Sequence, residues 1–211
     1  MYRYLRSAVL MASLTTMASG PVAAQGDATD AVGFGGRVEV PEAGYVLTLP
    51  DDWVYIRPTA EDTSSIIETV RTFAPDLASM VEAGLARGAN VSLIAVSPAG
   101  PDAAFTATCN VIDSPSDGLS LDLRIAAELA SYRSLGDAIT VGPDVTTLDL
   151  PAGKTVRLDV GLSVPGYETA SSSYVYTDGT TFHTLTCTDL DWPEDRWLSI
   201  GGTFEFLPES L

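Results

Sequence analysis

The sequence predicts an α+β fold, an antiparallel sheet faced by helices, and three observations lead there. Several short segments alternate apolar and polar residues with a period of two, most clearly KTVRLDVGLSV over 154–164. Two longer segments repeat apolar residues at helical spacing instead. The strand-like segments follow one another across hairpin-sized turns more often than across helices, which favours antiparallel pairing in one layered domain.

Residues 1–24 are set aside first. MYRYLR supplies Arg3 and Arg6, an apolar to small-residue run follows, and PVAAQ places Val22 and Ala24 at the −3 and −1 positions of a secretory cleavage site before Gln25. Cleavage there leaves 187 residues, 25–211. The net charge moves from −17 to −19, because two arginines leave and no acid does. A chain of that length builds one domain with a core. Its acidity speaks against nucleic acid, whose phosphates need a basic surface, and against anionic membranes. The mature chain is expected to be a secreted or cell-envelope monomer without membrane insertion.

QGDATDAVGFGG, residues 25–36, has no apolar period and reads as a flexible leader, so the domain is expected over 37–208. Gly33, Gly35 and Gly36 do not make a dinucleotide loop, because no strand precedes them and no helix follows. Val38 and Val40 alternate with polar neighbours, Pro41 to Gly44 turn the chain, and YVLTL extends it again. Pro50, Asp51 and Asp52 predict a second turn before Trp53. Ile66, Ile67, Val70, Phe73, Leu77, Met80, Val81 and Leu85 mark a helical apolar face over 59–88, broken at Pro75 and ended by Gly88.

VSLIAVS and FTATCNVI read as strands, and LSLDLRIAAELASYRSLG as a helix with Leu121, Ile125, Leu129 and Tyr132 on one face. VTTLDL precedes the alternating 154–164 segment, where Val156, Leu158 and Val160 predict a buried wall, and Arg157 and Asp159 a wet one. ETASSSYVYT and TTFHTLTCT form a hairpin across Asp178 and Gly179. DWPEDRWLSIG opens a last helix and TFEF closes the fold.

TTFHTLTCT holds the only histidine, His183, four residues before Cys187, one of two cysteines. On a strand, four residues span roughly 13 Å at about 3.3 Å each. A nucleophile and its base must approach to about 3 Å. A His183–Cys187 dyad is therefore excluded, and His183 is expected to be dispensable for stability and function. In an oxidising compartment an even pair of cysteines forms a bridge, which predicts a disulfide between Cys109 and Cys187. Two cysteines and one histidine do not complete a zinc tetrad. Asp189, Asp191, Glu194 and Asp195 crowd one stretch but lack the EF-hand glycine and distal glutamate. A helix start explains them more simply, with Asp191 as N-cap, Pro193 in the first turn and Glu194 at its third position. No GxSxG, HExxH, phosphate-binding loop or CxxC occurs. No catalytic, cofactor-binding or metal-binding residue is predicted.

Taken in order, these pieces resemble PsbP-like proteins, including the LpqN-type exported proteins of actinobacteria. VPEAGYVLTLPDDWVYI resembles the opening strand–Pro–Trp signature, FTATCNVI the Asn-bearing second strand, and LPAGKTVRLDV the Pro-Gly-led central strand. TTFHTLTCT, DRWLSI and TFEF resemble the strand–helix–Phe close. The resemblance covers roughly Arg37 to Pro208. It implies an α/β/α sandwich with a central antiparallel sheet flanked by helices. It also implies a non-enzymatic accessory role, with a protein or envelope component as partner and no cofactor. The rival readings are a secreted hydrolase using a carboxylate pair and a small-molecule binder in the sheet–helix crevice.

Overall fold

A computed structural model of the chain describes residues 32–58, 67–68, 71, 82, 90–97, 107–134, 139–142, 145–164, 167–190 and 194–208. The segment 1–24, expected to be a signal peptide, lies outside these residues. So do Pro75, Asp191, Pro193 and most of the apolar face expected over 59–88, of which Ile67, Glu68, Arg71 and Glu82 are described and helical.

The strands are β1 (Val32–Val40), β2 (Tyr45–Ile56), β3 (Asn90–Val96), β4 (Thr108–Pro115), β5 (Ile139–Val141), β6 (Thr146–Leu150), β7 (Gly153–Val164), β8 (Tyr167–Thr177), β9 (Thr181–Asp189) and β10 (Glu205–Phe206). The described α-helices with full bounds are α1 (Leu121–Ser134) and α2 (Glu194–Gly201). All ten described strands join one antiparallel sheet in the order β1-β2-β3-β4-β9-β8-β7-β5, with β10 on β2 and β6 on β7.

This corrects the expected α/β/α sandwich. The molecule is dominated by one large antiparallel sheet, and α1 and α2 touch it locally without forming flanking layers. Two misread segments explain part of the difference. The strand β1 begins at Val32, inside the predicted 25–36 leader, and β2 runs unbroken through Pro50–Asp52, where a turn was expected. The two strands pair with a break between Phe34 and Gly36, where β2 carries extra residues against Gly35. A Cβ on Gly35 would lie 1.7 Å from the Pro50 carbonyl oxygen, and Gly36 has φ +87°. The glycines that look like a leader are thus what lets β1 cross a bulge.

Both faces of the sheet centre are buried. Leu185 and Cys187 on β9 join Tyr174 and Tyr176 on β8, Trp53 on β2, and Trp197 and Ile200 on α2 in one core. Phe182 and Val175, on the opposite parity, join Val156, Leu158 and Val160 on β7 and Ile125 and Tyr132 on α1 in another. The apolar wall predicted on β7 is present, but the other wall is not wet. Arg157 is buried there with its Nε 2.9 Å from Asp159 Oδ1, and Ser172 Oγ donates to the same oxygen at 2.6 Å. Buried hydroxyls between β8 and β9 satisfy one another across the strands, Ser171 with Thr188 at 2.8 Å and Ser173 with Thr186 at 3.0 Å.

Candidate functional site around His183

The hairpin joining β8 and β9 closes from Thr177 to Phe182 around Asp178 and Gly179, whose φ of +96° suits only glycine. Asp178 organises it. Its Oδ1 accepts the amides of Thr180 and Thr181, each at 2.7 Å, and the Thr180 hydroxyl at 2.9 Å. Burial works to raise the pKa of this carboxyl, but the donated amides of Thr181 and Thr180 outweigh it. They hold Asp178 below its ordinary range, with the nearby His183 acting in the same sense.

Two residues past the start of β9 stands His183, only 1% exposed. Its partner across the ladder on β4 is Asp113, and Nδ1 lies 2.8 Å from Asp113 Oδ1. A carboxylate only accepts, so Nδ1 carries the hydrogen and donates it. Its partner on β8 is Tyr176. Aromatic rings wall in the remaining sides: Tyr45 at 5.5 Å, Phe206 at 5.6 Å and Phe204 at 5.9 Å between ring centroids. Phe204 stacks on Tyr176 at 4.0 Å, and the Tyr176 hydroxyl donates to the Gly201 carbonyl at 2.7 Å, so α2 and β10 are pinned to this cluster. The Tyr45 hydroxyl shares a 2.9 Å hydrogen bond with Ser92. Burial first, and then the Asp113 charge, raise its pKa well above the usual value, so it stays a neutral phenol. Nε2 of His183 has no hydrogen-bond partner among the described residues, and Asp178 Oδ2 lies 3.9 Å from it.

His183 and Cys187 do not meet as a dyad, because Cys187 is bonded to Cys109 directly across the β4–β9 ladder, with Cα atoms 4.1 Å apart. The expectation that His183 is dispensable for stability is corrected. Removing the buried ring leaves the Asp113 carboxylate without its hydrogen-bond donor, which costs about 1–3 kcal/mol. Among the described residues no three His, Cys, Asp or Glu side chains gather to hold a metal ion. Of the acidic stretch, Asp189 pairs with Arg196 at 3.5 Å, and that guanidinium lies over Trp53 and Trp197 at 5.4 and 5.5 Å. No described helix is long and apolar enough to cross a membrane.

No protein-family model and no curated protein sequence matches the chain. Among solved structures, it is similar to LpqN of Mycobacterium tuberculosis, described as involved in cell envelope biogenesis. The TM-score is 0.50 at 15% identity, over 78% of this chain and 83% of that one. A protein of unknown function from Pseudomonas aeruginosa matches at a TM-score of 0.40 and 19% identity, over 49% of this chain and 74% of that one. The sheet, α1, α2 and the aromatic close at β10 therefore make up an LpqN-like fold.

Proposed function

We propose that this chain is an exported accessory protein of the cell envelope, PsbP-like in descent, that acts by binding a protein or envelope component and not by catalysis. The observation that carries the reading is the likeness of its fold to an envelope-biogenesis protein across most of both chains. The chemistry of the described core supports it. His183 is enclosed at 1% exposure and Cys187 is tied up in a disulfide, so neither is offered to a substrate. Asp113 and Asp178 flank the imidazole, but only Asp178 reaches solvent. A carboxylate pair needs a substrate between its members.

The test is cross-linking in intact cells expressing the full chain, followed by fractionation and mass spectrometry. The expected result is a product beginning at Gln25 in the exported fraction, covalently joined to one envelope component that an unrelated exported acidic protein does not capture. A product retaining Met1 in the cytosol, or a purified exported chain that turns over an envelope substrate, overturns the reading.

A further inference from the structure

The imidazole of His183 is held asymmetrically. One nitrogen is committed to Asp113 at 2.8 Å, and the other is buried without a donor, 3.9 Å from a carboxylate that belongs to the turn. In the neutral ring Nε2 is an acceptor facing another acceptor, which leaves it unsatisfied. Adding a proton turns Nε2 into a donor aimed toward Asp178, and the resulting cation then sits between two carboxylates on separate elements. We propose that His183 is a pH-responsive clasp: proton uptake at Nε2 ties the β8–β9 turn, through Asp178, to the Asp113 carboxylate on β4.

The groups facing the ring have been placed on each side. Asp113 comes from β4, Asp178 from the turn, Tyr45 from β2 and Tyr176 from β8, while Phe204 and Phe206 close the end at β10. Glu42 and Arg57 act electrostatically on the Tyr45 hydroxyl with opposite sign. Burial penalises the imidazolium, and the two carboxylates favour it. Asp178 is available as an anion because the turn amides already stabilise its charge. The clasp therefore tightens on acidification. In an exported protein that change is driven by the pH outside the cell.

Because the chain has one histidine, 15N-histidine labelling of the tag-free protein yields a single imidazole spectrum. The expected result is that Nε2 passes from unprotonated to protonated as pH is lowered from about 8 to about 5. Asp178→Asn should lower the ratio of protonated to neutral ring at a given pH by about two- to fivefold, as for a partly exposed ion pair. In the native chain the Thr180 and Thr181 amide resonances, which report on Asp178, should shift with the same titration, and in His183→Gln that shift should be lost. If that variant does not fold, the Asp178→Asn titration decides alone, since Asp178 is a turn residue with a 38% exposed side chain. An Nε2 that keeps one protonation state throughout, or an Asp178→Asn titration superimposable on the native one, overturns the clasp.

Discussion

Replacing Cys109 and Cys187 together by alanine removes a cross-link between residues 78 apart in sequence but directly opposed in the sheet. In the chain-entropy treatment, closing a loop of that length stabilises the fold by about 4.5 kcal/mol. Residual structure in the unfolded chain reduces this, while loss of two fully buried sulfurs adds to it. A net loss of at least about 2 kcal/mol is expected. For a domain of this size each kcal/mol moves the melting temperature by about 2–4 °C, so the double variant should melt about 5–15 °C lower. Calorimetry and urea unfolding of the oxidised native chain and the variant give the number. Both cysteines are 0% exposed, so a reductant reaches the bond only when the sheet opens, and native-state reduction should be no faster than unfolding. A variant within about 1 kcal/mol of the native chain would refute the reasoning. So would two titratable thiols in the unfolded, unreduced native protein.

Three further outcomes follow from single sites. Burial outweighs Arg124 and the Tyr132 hydrogen bond and raises the pKa of Glu128, so its stabilisation is present at low pH and lost as pH rises through the folded-state value. Glu128→Gln should therefore gain melting temperature on the native chain at pH about 8 relative to pH about 4; a pH-independent difference counts against it. Gly35→Ala should cost about 1–3 kcal/mol, because its Cβ meets the fixed Pro50 carbonyl. Gly33→Ala meets only the movable end of the Tyr55 side chain and should cost less; the reverse order in denaturant midpoints would contradict the bulge. Tyr176→Phe removes the hydrogen bond to the Gly201 carbonyl and should cost about 1 kcal/mol in urea unfolding; no change would mean that the bond does not pin α2.

Most strands were legible because they alternate or sit between turn residues. The pattern of α1 was legible too: Ile125 and Tyr132 are buried where helical spacing placed them, and Leu121 and Leu129 pack beside them. What misled was glycine and proline. Val32–Gly36 lacks apolar period because two of its positions are glycines, Gly33 under the Tyr55 ring and Gly35 against the Pro50 backbone carbonyl. Pro50 sits opposite the bulge, in the one stretch of β2 where a missing amide is tolerated. Local composition reports the residue, whereas strand formation there depends on the partner strand. That is also why the sheet outgrew the sandwich expected from family resemblance.

The His183–Asp113 pair looks illegible, since 70 residues separate its members, yet the disulfide prediction already contained it. If Cys109 and Cys187 oppose each other on neighbouring antiparallel strands, each step forward on one strand is a step back on the other. Four steps bring Asp113 opposite His183, and this is the register observed. The parity is equally telling. Asp113 is in phase with Cys109 and Val111, and His183 with Leu185 and Cys187, so both polar residues point into the same core as those apolar neighbours. A carboxylate in a core phase requires a hydrogen-bonded partner, and the facing histidine is that partner. Judging His183 by its distance from Cys187 along one strand answered whether those two could react. The informative distance ran across the ladder, where the same spacing that forbids the dyad delivers the carboxylate to the ring. The disulfide and the His–Asp pair are thus two rungs of one β4–β9 ladder. A register slip that preserved one would break the other.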